Sequence, residues 1–239
     1  MSQEKLLSGQ VILITGATRG LGRAVAFCAA VEGATVVACG RDVRALEGLQ
    51  SEIEQAKGTA PVLMPINLEG ASLEDYQQMG NLLAERFGGL TGVFVNAAHP
   101  GELSPVEHCD AVIWARVFQV NVHSPFLMLK SLMHLFDREA NPTLLFSLAP
   151  EGENPSAYWG AYAASKSALR ALMKVCASEW SGFCRVLGIL PPKMDTRLRF
   201  SAFPSENREH LVSPGSVAPK ILKIFSGSIK QSSGSVISL

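Results

Sequence analysis

The sequence has no long apolar run and no block of like charge. No run of apolar residues reaches the roughly 18 positions that a membrane-spanning helix needs, and Met1–Gly9 lacks the apolar centre of a signal peptide. Basic and acidic side chains balance at 21 each, without a basic stretch. These features argue against a membrane segment, a nucleic-acid partner and binding to an anionic membrane surface.

Cysteines are few, and their spacing matches no metal or redox motif. The sequence contains 5 of them, at positions 28, 39, 109, 176 and 184, and no two form a C-x-x-C pair. This spacing argues against a zinc site and against thioredoxin-like chemistry. We therefore expect no metal site, and we expect reduced, buried thiols in a cytoplasmic protein.

Length and composition suit one ordinary globular domain. The chain has 239 residues, of which 47% are hydrophobic and 18% are charged. A chain of this length buries roughly 70% of its unfolded surface on folding, so its core needs no disulfide or metal to hold it. Because no linker-like segment interrupts the chain, we predict a single domain over residues 1–239.

Short apolar runs alternate with amphipathic stretches along the chain. Continuous apolar runs are typical of strands that helices cover on both faces, and alternation of strands with helices predicts parallel β-α-β units. The predicted strands are 11–15, 34–39, 61–66, 93–96, 144–148, 185–190 and 235–239. The predicted helices are 21–32, 44–56, 73–87, 106–136 with a break near Ser124–Pro125, 158–180 and 217–225. The pattern indicates an α/β fold with a doubly wound, mostly parallel seven-stranded sheet.

A glycine-rich turn lies between the first strand and the first helix. Residues 15–22 read T-G-A-T-R-G-L-G, with the spacing G-x-x-x-G-x-G. Glycines allow a tight turn and a close approach to a pyrophosphate, and a helix N-terminus offers unpaired N–H groups and partial positive charge. A turn that only caps the helix is the alternative. The position after the first strand favours a Rossmann-type dinucleotide site. The predicted contacts are Gly16, Thr18, Arg19, Gly20, Leu21 and Gly22.

The end of the second strand indicates which dinucleotide binds. An NAD site places an acidic residue there to bind the ribose 2′-hydroxyl, whereas this strand ends in Gly40 and Arg41. Arg19 and Arg41 together suit a 2′-phosphate, which guanidinium groups bind in a bidentate manner. Asp42 is better explained as the N-cap of the next helix. We predict NADP(H) rather than NAD(H), with a solvated surface arginine as the alternative role of Arg41.

Tyr162 and Lys166 stand four residues apart in a predicted helix, so they share one face. A phenol normally titrates near 10, and a neighbouring cation favours its ionised form. Lowering its pKa to about 7 requires about 4 kcal/mol, which a lysine and an oxidised nicotinamide can supply together. Tyr162 would then act as a general acid or base. A chance pairing on a helix is the alternative.

Considered together, the TGATRGLG turn near residue 16 and the YAASK segment near residue 162 resemble the short-chain dehydrogenase/reductase family. WGAYAASK and SAFPSE are also similar to a bacterial subgroup of oxidoreductases in that family. The resemblance implies reversible conversion of an alcohol to a ketone or aldehyde, with Tyr162 as general acid or base. It identifies no substrate, because one fold serves many substrates.

The resemblance also assigns further positions. Asn121 is similar to the asparagine that holds a water in the family's proton relay. The other implied cofactor contacts are Asn67, Leu68, Asn96, Ala97, Ala98, Pro191 and Thr196, in addition to Tyr162 and Lys166. Relatives in this family pair through the helices near 106–136 and 158–180, which implies a homodimer or a homotetramer.

One departure from the family concerns catalysis directly. Ala149 stands where the family has a serine that donates a hydrogen bond to the substrate oxygen, and alanine cannot donate. Ser147 is the candidate replacement, although strand geometry places it about 7 Å deeper on the same side. It can serve only if the loop 149–157 is about two residues longer than usual and the strand is shifted. Milder departures are Ala98 and Pro192, where the family has glycines.

Two hypotheses on function therefore stay open. The first is an NADP(H)-dependent oxidoreductase with Tyr162, Lys166, Asn121 and Ser147 as candidate catalytic residues. The second is a non-catalytic NADP(H)-binding sensor or scaffold, which the loss of the serine at Ala149 motivates.

Three further features of the sequence are also ambiguous. The irregular stretch 196–214 is either a substrate lid or a surface connection. Tyr158 and Trp159 either line the substrate pocket or pack against a partner subunit, and His99 is either a substrate contact or an ordinary loop histidine.

Overall fold

The computed structural model describes residues 5–137 and 141–239, and the sheet in these residues is wholly parallel. Its strand order is β3-β2-β1-β4-β5-β6-β7. The strands are β1 Val11–Thr15, β2 Thr35–Gly40, β3 Val62–Pro65, β4 Gly92–Val95, β5 Thr143–Ser147, β6 Arg185–Leu190 and β7 Val236–Ser238. The predicted seven-stranded, doubly wound sheet is therefore confirmed.

Helices cover both faces of this sheet. The α-helices in the described residues are α1 Gly20–Val31, α2 Val43–Gln55, α3 Leu73–Phe87, α4 Ala111–Phe118, α5 Ser124–Leu132, α6 Gly160–Glu179, α7 Arg197–Ala202 and α8 Pro214–Phe225. Side chains alternate along a strand, so Ile12 and Ile14 pack towards α1 and α8, whereas Leu13 packs with the opposite core. This two-sided burial explains the continuous apolar strands.

The strand order reverses between β1 and β4. In open α/β sheets, ligands bind in the crevice outside the carboxyl ends of the strands at such a point. The glycine-rich turn after β1 and Asn96 after β4 both lie at this crevice. The fold therefore places the predicted cofactor residues at the site that the topology favours.

The prediction of a helix over 106–136 with a break near Ser124–Pro125 is wrong in detail. A 3₁₀ turn, Val106–His108, comes first, and α4 begins only after Asp110, whose Oδ1 accepts the N–H groups of Val112 and Ile113. The chain then continues through a π-helical segment, Gln119–His123, into α5 without leaving helical backbone angles. Pro125 lacks an N–H group, and the wider π turn before it accommodates that loss.

The segment 196–214 is more regular than predicted, since it contains α7 and a 3₁₀ turn, Arg208–His210. Thr196 caps α7 by accepting the Arg199 N–H group at 3.2 Å. Threonine at this position satisfies a backbone N–H group that a helix start would otherwise leave unpaired. The short helix escaped detection because it is too short to show a helical repeat.

Candidate active site

The glycine-rich turn has the geometry of a phosphate-binding site. Gly16 and Gly20 have positive φ angles of 71° and 57°, which glycine adopts without strain. A Cβ atom on Gly22 would lie 2.4 Å from the Gly16 carbonyl oxygen, so only glycine permits this packing. Arg19 is the N-cap of α1, but its side chain makes no capping hydrogen bond. The first N–H groups of α1 thus have no side-chain cap, as an anion site requires.

Thr15 ties this turn to the loop after β4. Its Oγ1 accepts the N–H groups of Asn96 at 2.9 Å and Ala97 at 3.0 Å. The Asn96 amide donates to the Thr15 carbonyl oxygen at 3.0 Å. A Cβ atom on Gly16 would lie 3.0 Å from the Ala97 Cα atom. The predicted cofactor residues of the two loops therefore lie side by side.

Cationic side chains gather beyond the turn. Burial lowers the pKa of Arg19, and the nearby guanidinium groups of Arg197 and Arg41 lower it further. Thr18 packs at the end of β2, where a Cβ atom on Gly40 would lie 2.4 Å from its Cγ2 atom. The structure thus brings together Thr18, Arg19 and Arg41, and it adds Arg197.

Arg41 has an acidic partner that the sequence did not reveal. Its Nη1 lies 2.6 Å from Glu69 Oε1, and Arg116 Nε lies 3.5 Å from the other carboxylate oxygen of Glu69. The Arg41 side chain is still 59% exposed, so this ion pair is a weak restraint. A phosphate at this point would compete with Glu69 for Arg41.

The other predicted cofactor residues also lie along the crevice. Asn67 Oδ1 accepts the Glu69 N–H group at 3.2 Å, so part of its hydrogen-bonding capacity is used within its own turn. Leu68 packs against the core beside it. Pro191 follows β6 directly. The methyl group of Thr196 lies 3.5 Å from the position of a Cβ atom on Gly20, which places Thr196 over the phosphate turn.

Tyr162 and Lys166 project from one face of α6 and are both buried. Lys166 Nζ donates to the main-chain oxygen of Ser147 at 2.9 Å and lies 5.6 Å from the centroid of the Tyr162 ring. The ammonium group is thus close to the phenol ring while it is anchored to the end of β5. The two side chains that the sequence paired are together in the structure.

Burial dominates the acidity of both groups. It raises the pKa of Tyr162, and the nearby carboxylate of Glu151 raises it further. Burial lowers the pKa of Lys166 to about 8, which Glu151 partly opposes. The lowered phenol pKa that the sequence predicts depends on an oxidised nicotinamide beside the phenol as well as on the lysine, and it stays a prediction.

Ala149 is the residue that packs against the tyrosine. Ala149, Trp159, Tyr162 and Ala163 form one buried cluster. Ser147 is the last residue of β5 and is itself buried. Within the described residues, no hydrogen bond joins the Ser147 and Tyr162 side chains.

Asn121 holds the π-helical segment to the site. Its Oδ1 accepts the His99 N–H group at 2.7 Å, and its Nδ2 donates to the His99 carbonyl oxygen at 3.0 Å and to Ser165 Oγ at 2.9 Å. Asn121 is fully buried. It therefore links the loop after β4 with α6.

Trp159 belongs to the site, since its ring lies against Tyr162, with a centroid separation of 5.5 Å. Tyr158 next to it is exposed and has a φ angle of 72°, which is rare for a bulky residue. Phe203, after α7, packs against Trp159 with a centroid separation of 5.8 Å. The segment that the sequence predicted as a lid or a connection thus reaches the site.

Sequence analysis missed several residues of this site, namely Thr15, Glu69, Arg116, Glu151, Ser165, Arg197 and Phe203. Thr15 was open to detection because it precedes Gly16 at the end of the first strand. The partners Glu69 and Arg116 carried no signal in the sequence, because their approach to Arg41 depends on tertiary packing.

Across the described residues, no cluster of three His, Cys, Asp or Glu side chains is arranged to hold a metal ion. None of the described helices is both long and apolar enough to cross a membrane.

Comparison with known proteins identifies the family. The sequence matches the model of the short chain dehydrogenase family over residues 10–207. The uncharacterized oxidoreductase YciK of Escherichia coli (strain K12) is 33% identical over 232 residues, which cover 97% of this chain and 92% of YciK.

Solved structures agree with the sequence comparison. A short chain dehydrogenase from Shigella flexneri 2a, in complex with NADP, superposes with a TM-score of 0.95 at 32% identity over 99% of each chain. One from Escherichia coli CFT073, in complex with NADPH, gives 0.93 at 33% identity over 99% of this chain and 98% of its own. The sequence-based choice of NADP(H) agrees with these two complexes. The chain is an oxidoreductase that belongs to the short chain dehydrogenase family.

Proposed function

We propose that the protein is an NADP(H)-dependent oxidoreductase that interconverts an alcohol and a ketone or aldehyde. The observation that carries this proposal is the position of Tyr162 and Lys166, buried side by side at the carboxyl end of the sheet. The glycine-rich turn and the Thr15–Asn96 contacts at the same end suit the pyrophosphate and the nicotinamide half of the cofactor. One domain over residues 1–239 then supplies the whole site.

In the direction of reduction, NADPH held by the glycine-rich turn would supply the hydride that the carbonyl carbon accepts. Tyr162 donates its phenolic proton to the carbonyl oxygen, which becomes the alcohol. Its raised pKa keeps the phenol protonated before the reaction, as a general acid requires. Lys166 stabilises the phenolate that forms, because its Nζ lies close to the ring. Oxidation of the alcohol reverses each step.

Asn121 and Lys166 keep these groups in position. Asn121 joins the His99 loop to α6 through Ser165, and it is suited to ordering a relay water beside Tyr162. Lys166 is fixed by the carbonyl oxygen of Ser147 and is suited to holding the ribose as well. Both residues act by holding groups in place around the phenol.

Arg19 and Arg41 favour NADP(H) over NAD(H). Arg41 directly follows β2, where the ribose 2′ position of a bound dinucleotide falls, and Arg19 at the start of α1 is close to it. Arg197 adds a third guanidinium group close to Arg19. The NADP and NADPH complexes of the two structural relatives support the same choice.

Ala149 occupies the position of the serine that donates a hydrogen bond to the substrate oxygen in the family. We therefore expect a low kcat. Its methyl group packs in the Tyr162 cluster, which leaves the substrate oxygen with Tyr162 as its donor. A missing donor of this kind costs about 3–4 kcal/mol of transition-state stabilisation. Ala149→Ser is expected to raise kcat with little change in NADPH affinity.

Ser147→Ala tests whether Ser147 has taken over the role of the serine that Ala149 replaces. If Ser147 has replaced the serine, Ser147→Ala abolishes turnover and Ala149→Ser has little effect. If Ala149 is a true loss, as the packing supports, Ser147→Ala leaves turnover nearly unchanged.

The direct test combines turnover with cofactor binding. Carbonyl compounds of different classes are offered with NADPH, and NADPH binding is titrated separately by calorimetry. We expect turnover that Tyr162→Phe abolishes while NADPH affinity stays within about threefold. NADPH binding without turnover of any compound, unchanged by Tyr162→Phe, would instead indicate a binding protein that acts as a sensor or scaffold.

The expected setting is a small-molecule reaction in the cytoplasm, by a homodimer or a homotetramer. The five cysteines are free thiols, which is usual in a reducing compartment. Val112 on α4, Phe126 on α5 and Val175 on α6 are large apolar side chains that are exposed in the isolated chain. Exposed apolar residues on adjacent helices support association.

A further inference from the structure

Two further aromatic rings pack beside Tyr162. The Trp159 ring contacts both Tyr162 and Phe203 in tilted arrangements, with centroid separations of 5.5 Å and 5.8 Å and interplanar angles of 52° and 39°. Trp159 and Tyr162 belong to the start of α6, whereas Phe203 comes from the distant segment after α7. Trp159 is 9% exposed and Tyr162 is 7% exposed, so solvent scarcely reaches the phenol in this arrangement.

Arg199 and Glu206 hold the Phe203 ring against Trp159. The Arg199 guanidinium carbon lies 3.7 Å from the centroid of the Phe203 ring. Its Nε and Nη2 each donate to one oxygen of Glu206 at 2.6 Å. Phe203 therefore packs against the Arg199 guanidinium group, whose charge Glu206 neutralises, and against the Trp159 ring at the start of α6. The pair fixes the ring without adding net charge.

The other side chains that pack around Tyr162 are small and apolar. Ala149 and Ala163 belong to the same buried cluster, and Ala98 and Ala202 pack against it. Glu151 is close enough to raise the pKa of Tyr162 beyond the effect of burial. An anionic substrate would therefore meet an apolar surface and a repulsive carboxylate, whereas a neutral, flat group would find rings to stack on.

We propose that Phe203 is the gate of the substrate pocket and that Trp159 behind it selects a carbonyl substrate that carries a neutral aromatic ring. The ring of the substrate takes the place of the Phe203 ring against Trp159, and the carbonyl group then reaches the Tyr162 hydroxyl. The proposal rests on the proposed function, since it names the substrate class of that same site.

A matched pair of aldehydes tests the selection. Benzaldehyde and cyclohexanecarbaldehyde have similar size, but only the first has a flat ring. With NADPH, we expect kcat/KM to favour benzaldehyde by about 3- to 10-fold, the range for one aromatic pair. We expect 4-carboxybenzaldehyde, which is anionic, to react more slowly than either. Equal kcat/KM values for the two neutral aldehydes would overturn the proposal.

Variants locate the preference in Phe203 and Trp159. Trp159→Leu should remove the preference for benzaldehyde, because it removes the ring against which the substrate stacks. Phe203→Leu keeps an apolar side chain of similar bulk and should lower KM for both aldehydes, because a weaker contact with Trp159 is displaced more easily. Phe200→Ala is the matched control, since Phe200 is 50% exposed on α7 and has no ring contact with Trp159. Identical kinetics of Phe203→Leu and Phe200→Ala would refute the gate.

Binding of unreactive analogues separates this proposal from the proposed function. Benzamide and cyclohexanecarboxamide are titrated by calorimetry into the protein with NADPH, so no turnover is needed. We expect benzamide to bind more tightly and Trp159→Leu to abolish the difference. Equal binding of the two amides overturns the aromatic pocket even if aldehydes are reduced, whereas selective benzamide binding without reduction of any aldehyde counts only against the oxidoreductase function.

Discussion

At the scale of single residues, Arg41 is the position that we propose distinguishes NADP(H) from NAD(H). It directly follows β2, where an NAD-binding chain has an acidic side chain. Its partner Glu69 lies at 2.6 Å, but the Arg41 side chain is 59% exposed to solvent. A 2′-phosphate carries more charge than Glu69 and can therefore replace it.

Arg41→Ala is expected to weaken NADPH binding by about 10- to 100-fold, which is the value of one charge-assisted contact. NADH affinity should hardly change, because NADH has no 2′-phosphate. Glu69→Gln is the matched variant, and it should strengthen NADPH binding by freeing Arg41. Fluorescence titration of both nucleotides measures these effects, and equal losses for NADPH and NADH in Arg41→Ala would count against this role.

Lys166 makes activity and stability depend on pH in opposite directions. Burial lowers its pKa from 10.5 to about 8. The folded protein thus loses this proton at lower pH than the unfolded chain does. Stability should therefore rise between pH 8 and 10.5, because the unfolded chain binds more protons there. Support for the phenolate needs the charged lysine, so turnover should fall over the same range.

The contribution of Lys166 to the pH dependence of stability is measured by comparison with Lys166→Met. The free energy of unfolding of the wild type, relative to that variant, should increase by about 3 kcal/mol from pH 7 to 10.5. Urea unfolding at both pH values gives this difference. A wild-type curve parallel to that of Lys166→Met would show that Lys166 does not titrate there.

At the scale of secondary-structure elements, the π-helical segment Gln119–His123 is the feature that hydrophobic periodicity did not predict. Such turns arise where side chains disturb the helical hydrogen bonds, and they are frequent at functional sites. Here the segment carries Asn121, and its contacts with His99 and Ser165 join α6 to the loop after β4. The irregular turn thus serves the site rather than the core.

Asn121→Ala is expected to lower the free energy of unfolding by roughly 3 kcal/mol, because three hydrogen bonds of the buried Asn121 side chain are lost. Turnover should fall as well, since the His99 loop is no longer tied to α6. Gln119→Ala in the same segment is the control, because the structure gives the Gln119 side chain no hydrogen bond within the described residues. Chemical denaturation of both variants decides the point, and similar stabilities of the two would contradict this role of Asn121.

At the scale of the whole molecule, the order of the sheet explains why distant residues meet. The chain runs outward from β1 to the edge strand β3 and then returns to place β4 on the other side of β1, so the loops after β1 and β4 lie together. At the carboxyl end of the sheet, the glycine-rich turn therefore meets the Asn96 loop and the start of α6. The hydrophobic cores on the two faces of the sheet fix the strands from which these loops extend.

We expect the protein to form a dimer or a tetramer in solution. Val112 and Phe126 are 66% and 48% exposed on α4 and α5, and burying them between subunits would gain stability. Sedimentation at micromolar concentration should give a multiple of 25.6 kDa. Phe126→Glu should shift the mass towards the monomer, whereas Leu82→Glu on α3 should not. A mass of one chain for the wild type would refute the prediction.

The sequence by itself determined the sheet, its helices and the two main motifs. Strand periodicity and glycine spacing are local properties, so the turn at Gly16 and the pair Tyr162–Lys166 were open to prediction, as was NADP(H) through Arg41. It also indicated the substitution at Ala149.

Only the tertiary structure decided which distant side chains meet. The contact of Phe203 with Trp159 and the ion pair of Arg41 with Glu69 join segments far apart in the chain. The pKa of Tyr162 likewise depends on burial, which raises it and which sequence spacing does not encode. Local rules specify elements and motifs, whereas the environment of each group arises from packing between elements.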